Sequence, residues 1–182
     1  MIDPAARPLM FDTSAESWLA RTAGPEISRW LQDYLAVHRF SVSAITVTER
    51  IRGYSLLWRR AEPEARQRIE TARIAYLNQL GIVLPVNTAV SVVAGEIMTL
   101  VPEPPTPPRR THSHAESRQD RLSRWRFDQV IAATALVAAM PMVHNNAADF
   151  EAIRSAIERS PERFPGLGPL ELIRCTLLTQ SA

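Results

Sequence analysis

Short apolar runs alternate along this chain with longer segments in which apolar residues recur every three to four positions. The runs predict buried strands at 8–11, 42–45, 82–86 and 142–143. Helical spacing is clearest where Ile27, Trp30, Leu31, Tyr34 and Leu35 follow Pro25, a residue that suits a first helical turn. The alternation of strands and helices predicts an α/β fold, a small and mainly parallel sheet sandwiched between helices.

Three further segments are expected to be helical. Residues 48–80 have a helical composition with a break near Pro63, and residues 88–100 follow the third strand. The segment from Asp128 to the break at Pro141 is apolar on nearly every face, which is typical of a helix inside a protein. Asp128 is expected to open this third helix.

Residues 102–124 interrupt the alternation. Five of the seven residues at 102–108 are proline, which excludes a regular helix or an inner strand there. We therefore predict a single domain spanning 1–182 with a Pro/Arg-rich insertion at about 102–124. Arg109, Arg110 and Arg126 are candidate contacts to an RNA backbone. A solvated surface insertion without a ligand is the alternative interpretation.

Composition narrows the class of protein only a little. The 182 residues are 46% hydrophobic and 22% charged, as in ordinary globular proteins, and the net charge of +2 is compatible with nucleic acid without being diagnostic. A single cysteine excludes an intramolecular disulfide. The N-terminus lacks a signal-peptide pattern, and the longest apolar run, 130–143, is too short to span a bilayer. These features predict a cytoplasmic protein with no membrane partner.

Four acidic residues fall at comparable ends of these elements. Asp12 and Asp149 follow the first and fourth strands, Glu49 follows the second, and Asp128 precedes the fourth. In an open α/β sheet, sites form beyond the carboxyl ends of the strands, so the four are expected to converge. Clustered carboxylates repel one another unless a cation lies between them. A divalent cation held there would lower the pKa of an attacking water for phosphodiester hydrolysis.

Each of these acids also has a local explanation. The segment from Thr46 to Glu49 matches a capping box, and Asp128 complements the dipole of a helix start. Asn146 and Asp149 have the same three-residue offset as a cap, while Asp12 suits a strand-to-helix turn. The residues by themselves leave the site and the local roles open.

Three motifs, taken in order, resemble those of PIN-domain nucleases of the VapC toxin type. The first is the strand end at residues 11–14, FDTS, and the second is ITVTERIRG at 45–53. The third pairs DQVIAATAL at 128–136 with NAADF at 146–150. The resemblance covers most of the chain, and its third motif is the most specific.

The resemblance implies a PIN fold and an endoribonuclease that depends on Mg²⁺ or Mn²⁺. By that resemblance, the metal ligands and catalytic residues are Asp12, Glu49, Asp128 and Asp149. Thr13 and Asn146 correspond to residues that orient those ligands. The resemblance also implies an RNA substrate, a homodimer and a cognate antitoxin of a toxin–antitoxin pair.

The chain departs from the family pattern in three places. Arg126 stands where many relatives carry an acid, His144 replaces a threonine, and the Pro/Arg-rich insertion is unusually long. Arg126 could reduce metal affinity or contact a phosphate. His144 is expected to be an exposed substitution. Two alternatives therefore accompany the toxin hypothesis: a degenerate PIN domain that binds RNA or protein without cutting, and an RNA-processing nuclease without an antitoxin.

Overall fold

The fold is built on one parallel sheet. The computed structural model describes residues 2–21, 24–107 and 116–179. The strands in these ranges are β1 (Met10–Phe11), β2 (Ser41–Ser43), β3 (Ile82–Leu84), β4 (Met142–His144) and β5 (Leu172–Arg174). Their order is β3-β2-β1-β4-β5, and all neighbours run parallel. The predicted α/β class and parallel sheet are confirmed, although the sequence pattern did not reveal β5.

Helices cover both faces of the sheet. In the described ranges they are α1 (Thr13–Arg21), α2 (Pro25–Val37), α3 (Ala44–Arg60), α4 (Pro63–Asn78), α5 (Thr88–Leu100), α6 (Arg118–Val137) and α7 (Ala147–Arg159). The predicted break at Pro63 is confirmed, because Pro63 occupies the first turn of α4. None of the helices described by the structure is long and apolar enough to cross a membrane.

Two hydrophobic clusters lie on opposite sides of the sheet. Met10 packs into the cluster beneath α5, α6 and α7, whereas the next residue, Phe11, packs into the cluster beneath α1 and α2. This alternation follows from the two-residue period of a strand. Trp30 and Tyr34 are buried in the second cluster, as predicted, and Tyr34 Oη accepts a hydrogen bond from the Leu9 amide at 2.8 Å. The core thus fixes β1, which leads directly into the acidic site.

The position of Asp128 corrects one expectation. Asp128 does not open a helix; it lies in the middle of α6, which begins ten residues earlier at Arg118. Ser117 caps α6 by accepting a hydrogen bond from the Asp120 amide at 3.0 Å. Residues 118–124, predicted to be irregular, are therefore helical. Residues 108–115 of the predicted insertion lie outside the described ranges.

The Pro-rich segment is fastened to α6 along one side of that helix. Arg121 donates to the Pro104 carbonyl at 2.8 Å. Trp125 and Gln129 both donate to the Val101 carbonyl, at 2.8 and 2.7 Å. These donors are spaced four residues apart and therefore share a helix face. The segment is thus held against α6 and directed toward the acidic edge of the sheet.

The C-terminus of α6 supports a stability prediction. Ala139 has φ = 51°, the left-handed conformation that glycine adopts without steric cost. The Ala139 and Met140 amides bond the Leu136 and Ala135 carbonyls in a Schellman pattern. We expect Ala139→Gly to raise the free energy of unfolding by about 0.5–1 kcal/mol in urea denaturation. The matched change Ala138→Gly, at φ = −77°, should lower it; a loss at position 139 would contradict the explanation.

Candidate active site

The structure brings the four predicted acids to one edge of the sheet. Asp12 joins β1 to α1, Glu49 lies on α3, Asp128 on α6, and Asp149 in the first turn of α7. Asp12, Glu49 and Asp128 line a common cleft together with Thr13 and Asn146. Because β1 is flanked by β2 and β4, their following segments meet at the carboxyl end of the sheet.

Asp12 has a local role as well as a place in the cleft. It is only 2% exposed, and its carboxylate accepts hydrogen bonds from the Ala15 amide at 2.6 Å and from Ser14 Oγ at 2.8 and 2.9 Å. Ser14 Oγ in turn accepts the Asn145 amide at 2.9 Å. Asp12 therefore caps α1, and Ser14 links that cap to the end of β4.

Glu49 does not lie at the start of its helix. Ser43 is the N-cap of α3 and accepts a hydrogen bond from the Ile45 amide at 3.2 Å, so the capping-box explanation for Glu49 is wrong. Glu49 instead lies in the second turn, where its carboxylate accepts a hydrogen bond from Thr13 Oγ1. That contact connects the start of α1 to α3 across the cleft.

Asn146 connects the other two acids. Its Nδ2 donates to Asp149 Oδ2 at 2.7 Å and lies 3.5 Å from Asp128 Oδ2. Asn146 occupies the N-cap position of α7, but its side chain makes no capping bond. Its amide is used to hold the two carboxylates together, which a simple capping role does not explain.

The acids share an unfavourable electrostatic environment. Burial raises the pKa of Asp12 to about 7, with a further contribution from Glu49, although the Ala15 and Ser14 hydrogen bonds oppose the rise. Burial also raises the pKa of Asp128 well above its ordinary value, and Glu49, Asp149 and Asp12 raise it further. The neighbouring carboxylates thus disfavour the charged forms of Asp12 and Asp128, as expected for a site that lacks enough positive charge.

The carboxylates of the cleft are ligands of the kind that hard divalent cations prefer, but their side chains are too far apart to hold an ion together. Carboxylate oxygens of Asp12, Glu49 and Asp128 line the cleft, and the raised pKa values of Asp12 and Asp128 indicate repulsion that a cation would relieve. Within the described residues, no group of three or more acidic, His or Cys side chains is close enough to hold an ion as they stand. Binding would therefore require the side chains to draw together.

Two residues from the predicted insertion also reach the site. Thr106 Oγ1 donates to Asp149 Oδ1 at 2.9 Å, and Arg124 Nη1 lies 3.6 Å from Asp149 Oδ2. Sequence reasoning gave neither residue a place in the acidic site. The available signal was the spacing of Arg124, four residues before Asp128, which places both on one helix face once α6 is extended.

By sequence, the chain matches no protein-family model and no curated protein. By structure, it is similar to VapBC-1 from nontypeable Haemophilus influenzae, with a TM-score of 0.58 and 17% identity over 92% of this chain and 98% of that chain. It is also similar to VapBC2 from Rickettsia felis bound to a promoter DNA fragment, with a TM-score of 0.56 and 14% identity over 91% and 97%. FitAcB from Neisseria gonorrhoeae gives a TM-score of 0.54 and 18% identity over 93% and 99%.

The chain has a PIN-like fold. At these low identities the similarity establishes the fold, and the resemblance inferred from the motifs is confirmed at that level. The four acids occupy the carboxyl end of the PIN-like sheet, as their positions along the sequence predicted. Their roles in binding and catalysis stay predictions.

His144 differs from its expected environment within this PIN-like fold. It was predicted to be exposed, and that is wrong: it is fully buried, with its ring 5.2 Å from that of Phe150. β4 lies between β1 and β5, so a side chain at its end is enclosed by helices. Burial and the nearby Arg174 lower the pKa of His144 to about 4, which keeps the ring neutral at physiological pH.

The predicted RNA contacts have different outcomes. Arg126 is exposed on α6, where it is available to a ligand, and its suggested contact with RNA stays a prediction. Arg109 and Arg110 lie outside the described residues.

Proposed function

We propose that the chain is a divalent-metal-dependent endoribonuclease and the toxin of a toxin–antitoxin pair. The observation that carries this proposal is the convergence of Asp12, Glu49, Asp128 and Asp149 at one edge of a PIN-like sheet. The raised pKa values of Asp12 and Asp128 support the proposal, because a cation bound there would relieve the repulsion among the carboxylates. The cation is Mg²⁺ or Mn²⁺, since the donors are hard oxygens.

The residues around the carboxylates are suited to hold them in a fixed orientation. Asp12, Glu49, Asp128 and Asp149 would hold the cation. Bound there, it would supply an activated water and neutralise charge on the phosphoryl oxygens. Thr13 fixes one oxygen of Glu49, while Asn146 fixes Asp149 beside Asp128. Such outer hydrogen bonds orient metal ligands and influence their affinity.

An antitoxin partner is part of the same proposal. The similar solved structures include the VapBC and FitAcB proteins named above. On this chain, Leu19, Leu31, Leu35 and Phe40 line a largely apolar groove that also contains the Glu16–Arg50 ion pair. We propose that an amphipathic segment of the antitoxin occupies this groove.

A homodimer is also proposed. α4 contributes no buried residue among those described, and Ile74 and Leu77 on it are 49% and 40% exposed. On the neighbouring α3, Leu57 and Trp58 are likewise exposed. Apolar side chains grouped in this way are typical of an interaction surface. They support self-association through α3 and α4.

The toxin role predicts an effect on growing bacteria. Induced expression of the chain should arrest growth, whereas the Asp12→Asn/Asp128→Asn double variant, expressed to the same level, should not. Coexpression of a small DNA-binding protein encoded beside the chain should restore growth. Normal growth at high levels of folded parent protein would contradict the toxin role.

A second candidate function is a binding module that does not cleave. It is favoured by one specific observation: Arg124 lies against Asp149, where a metal-dependent nuclease needs a free carboxylate. In that case the protein would bind RNA without cutting it in Mn²⁺. The first change to test would be Arg126→Asp, because many relatives carry an acid at that position.

A further inference from the structure

Asp149 is already occupied by the chain's own donors. Its Oδ1 accepts a hydrogen bond from Thr106, and its Oδ2 accepts one from Asn146 and faces Arg124. The residue is 1% exposed. It does not belong to the lining of the cleft that Asp12, Glu49 and Asp128 share. Asp149 is therefore the one carboxylate of the four that a ligand entering the cleft does not meet directly.

Arg124 is held in place from both sides. It lies one helical turn before Asp128 on the same face of α6. Its Nε and Nη2 bind Glu116 Oε1 and Oε2 at 3.1 and 3.0 Å, a bidentate pair, while Nη1 faces Asp149. Its side chain is only 19% exposed, and it lines the cleft. The guanidinium is thus a built element of the site rather than a solvated surface charge.

The charge on Arg124 is permanent. Burial lowers its pKa, but Glu116, Asp128 and Asp149 more than offset this, so the pKa is raised overall. Arg124 also lowers the pKa of Asp128, against the stronger effects of burial and the other acids. It is therefore a cation that partly neutralises the cluster at every physiological pH.

We propose that Arg124 is a resident counter-ion of the acidic site that competes with a divalent cation for Asp149. This inference rests on the proposed metal-dependent function. A guanidinium and a divalent cation repel each other and require the same carboxylate oxygen. A cation can bind Asp149 only when Arg124 withdraws toward Glu116. The Pro-rich segment, α6 and Glu116 thus set the metal concentration at which the site is filled.

The direct test is Mn²⁺ binding, measured by isothermal titration calorimetry on purified protein after treatment with EDTA and dialysis. We expect Arg124→Gln to bind Mn²⁺ roughly tenfold more tightly than the parent, because one competing charge is removed at short range. Arg118→Gln is the matched control: it makes the same charge change on the same helix at an exposed position outside the site. Its affinity should stay near that of the parent. Thermal unfolding establishes that both variants fold.

A second measurement uses the unaltered chain. The Nε–H resonance of Arg124, assigned in an NMR spectrum by its absence in Arg124→Gln, should shift with Mg²⁺ occupancy as the guanidinium leaves Asp149. The corresponding signal of Arg118, which is exposed on the same helix, should not move. An Arg124 resonance that stays constant while Mg²⁺ binds would overturn the inference without relying on the affinity of a variant.

The outcomes separate the inference from the function on which it rests. If neither the parent nor Arg124→Gln binds Mn²⁺, the proposed metal-dependent function fails, and the inference with it. If both bind Mn²⁺ with equal affinity, or the variant binds more weakly, the inference fails while the metal site stands. If Arg124→Gln and Arg118→Gln tighten binding equally, net charge accounts for the effect and the contact with Asp149 does not.

Discussion

Replacing Asp128 with asparagine is expected to reduce the rate of metal-dependent RNA cleavage by more than a hundredfold. Outer partners of metal ligands typically contribute about 10–100-fold, and Asp128 is proposed as a ligand itself. It faces Glu49, Asp12 and Asp149, so losing its charge weakens the whole site. The measurement is the initial rate on a labelled RNA at saturating Mn²⁺.

The control for this prediction is Asp33→Asn. Asp33 is exposed on α2, and its substitution makes the same change of charge. Its cleavage rate should equal that of the parent. If the Asp128 variant instead retained a rate within a few-fold of the parent, the assignment of this carboxylate to the catalytic site would be wrong.

Asp12→Asn is expected to stabilise the metal-free protein at pH 8. The pKa of Asp12 is about 7 in the fold and near 3.8 without it, so the folded state holds this proton more tightly than the unfolded chain. This tighter proton binding adds to the free energy of unfolding. The contribution is fully present below pH 3.8 and is lost as pH rises through 7. At pH 8 the ionised, buried carboxylate costs roughly 2–4 kcal/mol. Asparagine removes that charge and can still accept the bond from the Ala15 amide.

The measurement is urea denaturation of parent and variant at pH 5 and pH 8 in EDTA. The free energy of unfolding of the variant should exceed that of the parent most clearly at pH 8. Added Mg²⁺ should narrow this difference by stabilising the parent. Asp33→Asn should show no comparable gain. A variant less stable than the parent at pH 8 would mean that Asp12 is stabilising in the metal-free fold.

The sequence was sufficient to predict the centre of the parallel sheet because β1, β2 and β4 are short and buried on both faces. Met10 and Phe11 illustrate the rule, since each faces a different cluster and both are fully buried. β5 was not predicted because residues 172–174 form no comparable apolar run. Arg174 is exposed, and only Ile173 is buried. An edge strand of this kind gains its pairing from β4 rather than from its own composition.

The acidic site was predictable in its members but not in its contacts. Asp12 and Asp149 follow strand ends, and α3 and α6 carry Glu49 and Asp128 to the same edge, whichever side-chain rotamers the four adopt. The hydrogen bonds of Thr13 and Asn146 depend on those rotamers, which spacing does not determine. Burial of His144 was missed for a similar reason, because it depends on the helices packed over β4.

Arg124 shows how an element boundary can hide a functional residue. Proline and arginine content suggested an irregular segment through residue 124, whereas Ser117 and Asp120 form the start of α6. A serine followed three residues later by an acid is a signal of helix initiation. A helix predicted to begin at this signal would have placed Arg124 one turn from Asp128 and inside the site.

The central claim is that the acidic site cleaves RNA with the help of a divalent cation. The most direct test incubates pooled RNA with the purified chain, freed of any copurifying partner, in Mn²⁺ and in EDTA. The Asp12→Asn/Asp128→Asn double variant, purified in the same way, is tested in parallel. We predict cleavage by the parent in Mn²⁺ alone and none by the double variant. Equal cleavage by both proteins, or no cleavage by the folded parent in Mn²⁺, would contradict the claim.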